Sequence, residues 1–147
     1  MTETTEDKEV FSIFDVCETD TKAEEEGRWF RDIFNDGTNI DVKLRRLSSK
    51  ASLAARRVLD KTHRKHVKKD GTYPDDIAMK VLILQMAEGV IVDWDGINDN
   101  DKKPIACMPA TAEMLLTRLT KFRETIVMLA SQLDNFRLES REEDVKN

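Results

Sequence analysis

Asp75-Asp76-Ile77-Ala78-Met79-Lys80-Val81-Leu82-Ile83-Leu84-Gln85-Met86-Ala87-Glu88-Gly89-Val90-Ile91-Val92-Asp93-Trp94-Asp95-Gly96 is the longest predominantly apolar run in this 147-residue chain. Just before it stands Tyr73-Pro74, so proline and two acids fall in a first helical turn, where free N–H groups and the helix dipole favour them. Ile77, Val81, Leu82, Leu84 and Ile91, with Ala78, Met79, Ile83, Met86 and Ala87 between them, cover most of a helical circumference. That pattern predicts a central, buried helix over about 75–92. It ends at Asp93-Trp94-Asp95-Gly96, and the stretch from Ile97 to Met108, rich in Asp, Asn, Lys and Pro, reads as a loop.

Toward the C-terminus, Leu115, Leu119, Phe122, Ile126, Leu129, Leu133 and Phe136 recur at alternating spacings of four and three, a sustained heptad stripe over about 109–136. One long helix satisfies it, and so do two helices with a junction at Thr120, whose side chain would cap the second. The charged run from Arg137 to Asn147 is expected to be a mobile tail. Toward the N-terminus, Ser48 and Ser49 are good caps for a helix over about 50–68. Its first half carries Leu53, Val58 and Leu59 and can pack, whereas its second half is nearly all polar and is expected to be solvated.

Earlier still, Asp36-Gly37 separates two apolar-patterned runs. Ile40, Val42 and Leu44 alternate with Asp41, Lys43 and Arg45, which predicts a β-hairpin pairing about 28–34 with 39–46 through a type I′ turn. Phe11, Ile13, Phe14 and Val16 form a short cluster able to dock on a core, and residues 1–10 read as a disordered acidic leader. The expected architecture is therefore mainly α: one helical domain over 11–136 with a single N-terminal hairpin, a flexible acidic N-terminus and a charged tail.

Composition agrees with one core-bearing domain of this size. Apolar residues make up 39% and charged residues 36%, and five Gly and three Pro are too few for the many tight turns of a sandwich or barrel. No run approaches the roughly 18 apolar residues of a membrane span. The start MTETTEDKEV lacks a signal peptide's basic and apolar regions, so a cytosolic protein is expected.

The formal charge of −5 hides a strong asymmetry. Residues 1–26 carry ten acids against Lys8 and Lys22, and residues 41–69 carry eleven Lys or Arg against Asp41 and Asp60. Such polarity suits a nucleic-acid surface, an acidic partner, or two segments of one chain neutralising each other.

Motifs for chemistry are sparse. Cys17 and Cys107 lie far apart, without the spacing of a zinc or redox pair, and are expected to be free thiols. His63 and His66 have no third ligand nearby and sit among Arg64, Lys65, Lys68 and Lys69, which repel a cation. The acids from Asp93 to Asp101 do not match an EF-hand, since the sixth loop position is not glycine and the twelfth is Pro104. Phosphate loops and nucleophile elbows are absent from the sequence. The chain is read as a non-enzyme with no cofactor and no metal.

The run Ala87-Glu88-Gly89-Val90-Ile91-Val92-Asp93-Trp94-Asp95-Gly96-Ile97, the Asp-rich loop after it, the Pro-containing helix start and the amphipathic run to Asp134-Asn135-Phe136 together resemble tail assembly chaperones of long-tailed bacteriophages. The hairpin with Gly27-Arg28-Trp29 and Val42-Lys43-Leu44-Arg45 is similar to the family's amino-terminal part, so the resemblance covers about residues 20–136. It departs where the family would have a proline-containing helix break after Leu119, since Thr120-Lys121 stands there.

The resemblance implies a non-enzymatic chaperone that keeps the long helical tape-measure protein soluble while tail-tube subunits polymerise around it. It would act in the host cytoplasm and be absent from the mature virion. It also implies a longer form, made by ribosomal frameshifting, that reaches the tail-tube subunit. A homo-oligomer is a further expected partner arrangement. Met114, Phe122 and Met128 are the helix positions expected near the client surface, and Arg56, Arg57, Lys61 and Arg64 the basic positions expected to face a partner. The alternatives are a small nucleic-acid-binding phage protein using the basic segment 43–69 and a structural tail subunit.

Overall fold

The computed structural model describes residues 9–138 and the backbone of 145–146. Most of the expected leader, residues 1–8, and of the expected tail, residues 139–144 and 147, lies outside them. In chain order the elements are α1 (Ile13–Cys17), α2 (Thr21–Glu26), β1 (Arg28–Arg31), β2 (Asp41–Leu44), α3 (Lys50–Thr62), α4 (Asp75–Gln85), β3 (Ile91–Asp95), α5 (Pro109–Arg118), α6 (Thr120–Ser131) and β4 (Val145–Lys146). Short 3-10 turns cover Arg64–His66 and Leu133–Phe136.

The strands form one sheet in the order β3-β2-β1-β4, with β3, β2 and β1 antiparallel and the two-residue β4 parallel to β1. The fold is thus mixed α/β, and the expectation of a mainly α domain with a single hairpin is corrected. The reason lies in the opening stretch. α4 stops at Gln85, a π-helical turn over Met86–Val90 follows, and the β-branched run Val90-Ile91-Val92 enters the sheet as β3. Lys43 pairs with Asp93 and Leu44 with Ile91, so Val92 is an extra residue in a β-bulge. The bulge turns both Ile91 and Trp94 inward, at a spacing of three that mimics a helical period.

Gly89 makes this turn fit. A Cβ there would stand 2.7 Å from the Cα of Ser52, so α3 can approach the π turn only if residue 89 has no side chain.

The hairpin is present, but its turn is not type I′. β1 pairs with β2 through Arg28 and Leu44, Trp29 and Lys43, and Phe30 and Val42, leaving nine residues to connect them. The Asp32 carboxylate accepts from the N–H groups of Gly37 and Asn39, and that of Asp41 accepts from the N–H of Asp32, so carboxylates rather than a two-residue turn organise the loop.

α3 ends at Thr62 instead of about 68, because the polar residues beyond have no apolar face to pack. The final helix is broken at Leu119, whose extended backbone separates α5 from α6. The Arg123 guanidinium folds back to donate to the freed carbonyl of Leu116 at 2.8 Å.

One core joins the inner sheet face (Phe30, Val42, Leu44, Trp94) to α4, α5 and α6, and Phe136 meets Phe30 edge-on at 5.9 Å between centroids. The Trp94 indole donates to the carbonyl of Ile105 at 2.7 Å, tying the loop after β3 to the core. The N-terminal acids partly answer the basic segment and Arg28. Glu24 pairs with Arg46 at 2.7 Å, Asp20 lies 3.9 Å from the buried Arg28, and Glu25 accepts from the N–H of Lys50.

Candidate docking groove

The groove is built from a helix that the sheet cannot cover on all sides. α4 is apolar around its circumference, but it turns Val81 and Ile83 to the core and leaves Met79 42% exposed and Leu82 half-buried. Beside it α6 buries Phe122, Ile126 and Leu129 and leaves Val127 half-buried against the core and Met128 44% exposed. Met79, Leu82, Val127 and Met128, with Arg123 and Glu124 at the edge, line a cleft of about 320 Å³. Leu82 also lines a second cleft of about 400 Å³, together with Leu47, Leu53 and Ala130 and the two arginines Arg46 and Arg56. The two clefts have Leu82 in common, and both mix apolar with polar side chains, Arg46, Arg56, Ser48, Gln85 and Ser131 lining one and Arg123 and Glu124 the other.

Arg56 is held in place where it lines the second cleft. Its guanidinium donates to Asp60 at 2.9 Å and to the amide oxygen of Gln85 at 3.4 Å, and it lies 6.0 Å from the Tyr73 ring centroid. Partial burial of Asp60 opposes its ionisation, but the hydrogen bond from Tyr73 and the pairing with Arg56 outweigh it and hold the carboxyl below its ordinary range. Gln85 in turn donates to the Ser52 hydroxyl at 2.8 Å, a buried polar link that fixes α3 against α4.

The expected partner residues divide. Met128 and Arg56 line the groove. Phe122 does not: it is buried in the core, on the side of α6 that also buries Ile126 and Leu129. Met114 is exposed on α5 but lines neither cleft, and Arg57, Lys61 and Arg64 are exposed along and just after α3. Met79, Leu53, Arg46 and Arg123 were not singled out from the sequence. The one available signal was that a helix apolar all round, in a chain this small, must leave one side uncovered.

Among the described residues, no group of three or more His, Cys, Asp or Glu could hold a metal ion, and no helix is long and apolar enough to cross a membrane. The acids of the loop after β3 serve the loop itself, the Asp99 carboxylate accepting from the N–H groups of Asp101 and Lys103. Cys17 and Cys107 are both free.

No curated protein and no solved structure matches this sequence. The model of the YdaY prophage protein family matches residues 47–147, more than half of the chain and every helix that lines the groove. The chain is therefore phage-derived and belongs to the YdaY prophage protein family.

Proposed function

We propose that this protein is a tail assembly chaperone, which binds the tape-measure protein through the groove between α4 and α6 and keeps it soluble in the host cytoplasm. The observation that carries this reading is the methionine-bearing cleft lined by Met79, Leu82, Val127 and Met128, with a second cleft on the other side of Leu82 lined by Leu47, Leu53 and Ala130. An amphipathic helical client needs a groove for its apolar stripe and opposite charges for its flanks. Unbranched methionine side chains adapt to successive turns of such a client without demanding one sequence. Phage origin and the resemblance to tail assembly chaperones support the same reading.

Co-expression with the tape-measure protein of the same phage tests it. Soluble tape-measure yield should rise with the wild-type chain and fall back with Met79→Asp plus Met128→Asp, both surface positions whose replacement leaves the core intact. No gain with the wild type would count against the chaperone role.

The second reading, nucleic-acid binding, has one observation in its favour: Arg57, Lys61 and Arg64 are exposed within a strongly basic segment. It predicts retention on duplex DNA that is lost as salt rises, because each phosphate contact releases counterions.

A further inference from the structure

The segment before α2 has the pattern of a ligand rather than of a core element. Val10, Phe11, Ile13, Phe14 and Val16 are all at least half exposed, Val10 at 96% and Phe14 at 71%. Ser12, Asp15 and Glu18 recur every third residue between them and give the segment a polar stripe, and Ser12 caps α1 by accepting from the N–H of Asp15 at 3.0 Å. The segment is a preformed amphipathic turn whose apolar side is uncovered. It is anchored from behind. Thr19 bridges to Arg137, the N–H of Asp20 donates to the carbonyl of Phe136 at 2.7 Å, and Phe14, Asp15 and Glu18 border a shallow cleft with Leu138. None of the groove-lining residues borders that cleft, so in its own chain the segment rests away from the groove.

Groove and segment are complementary. One is a largely apolar pair of clefts beside the basic segment 41–69, in which Arg46 and Arg56 are already paired with Glu24 and Asp60 while Arg57, Lys61 and Arg64 are exposed; the other is an apolar turn flanked by Glu9, Asp15 and Glu18 and preceded by the acids Glu3, Glu6 and Asp7. We propose that the segment Val10–Cys17 of one copy docks in the α4–α6 groove of a second copy, with its acids toward the exposed cations along and just after α3. Two copies can exchange segments reciprocally and close as a dimer, or add head to tail and form longer species. The association does not depend on the chaperone reading. Where both hold, the docked segment occupies the client site until a longer amphipathic helix displaces it.

The test uses the full chain and light scattering coupled to size-exclusion chromatography, with circular dichroism to verify that every variant is folded. The wild type is expected to associate at low salt and to weaken as salt rises from about 0.05 to about 0.5 M, where the Debye length shortens severalfold. Phe11→Asp plus Phe14→Asp, which removes the ligand, and Met128→Asp, which damages the groove, should each weaken self-association on the order of tenfold or more, as loss of a central apolar anchor does.

Mixing the two variants should restore association, since one retains an intact segment and the other an intact groove. A wild type that is monomeric at all concentrations overturns the proposal, whether or not its groove is closed by its own segment. So do Phe11/Phe14 variants that associate like the wild type, or a mixture that stays monomeric. The Phe11/Phe14 variant keeps the groove, so it should still solubilise the tape-measure protein. A failure of self-docking is in this way distinguishable from a failure of the chaperone reading.

Discussion

Met86–Trp94 and Val10–Val16 are both short, apolar and punctuated by acids, yet the structure treats them oppositely. In the first, Met86, Val90, Ile91 and Trp94 are all buried, clamped between the sheet and α3; in the second, every large apolar side chain is exposed. Composition does not distinguish them. Position does: the first lies between two elements that need it, as the end of α4 and the edge strand of the sheet, while the second precedes the point at which Asp20 and Arg28 fasten the chain to its C-terminal turn. The outer sides of α4 and α6 likewise leave Met79 and Met128 exposed.

The contrast breaks most sharply on truncation of the core. Phe30→Ala, which removes a fully buried ring and its contact with Phe136, should cost about 3–5 kcal/mol in urea unfolding. Phe14→Asp at a 71% exposed position should stay within about 0.5 kcal/mol of the wild type. Equal losses at the two positions would show that α1 is part of the core.

Gly89→Ala comes next, at about 1–3 kcal/mol, because the new methyl would meet backbone of α3 rather than a movable side chain. A neutral result there would mean that α3 and the π turn are not in close contact.

The cysteines give the mildest probe, since each lies near one of the two regions. Burial, with a smaller contribution from the Asp93 charge, pushes the Cys107 thiol up to about 11, and Cys17 ends the exposed segment. Cys107 therefore stays protonated near pH 8, and its alkylation should lag well behind that of Cys17 and accelerate as pH rises toward 11. Mass spectrometry of the alkylated sites reads this directly, and comparable labelling at pH 8 would contradict the burial of Cys107.

How much of this was legible in the sequence follows from the same physics. The alternation of Ile40, Val42 and Leu44 marked β2 because that strand runs without a bulge. β3 was not legible, since the bulge at Val92 sets Ile91 and Trp94 three residues apart and extends the helical period of α4 across a strand. The Asp36-Gly37 signal was outweighed by Asp32 and Asp41, whose carboxylates stabilise a wider loop. The junction at Thr120 was visible as an alternative, although Leu119 breaks the helix and Arg123, rather than Thr120, satisfies the freed carbonyl. Of the groove, Met128 and Arg56 could be named from their residue types and spacing. Met79 could not, because its exposure depends on where α6 lies beside α4, and Phe122 was misplaced because a heptad stripe does not reveal which side faces inward.

The proposed client site is the open face between α4 and α6. A photo-cross-linking residue placed at position 128, compared with one at the exposed loop position 100, in cells making the tape-measure protein of the same phage, tests it most directly. Adducts with the tape-measure protein should form from position 128 and not from position 100. Equal adducts from both positions, or none from position 128, would contradict it.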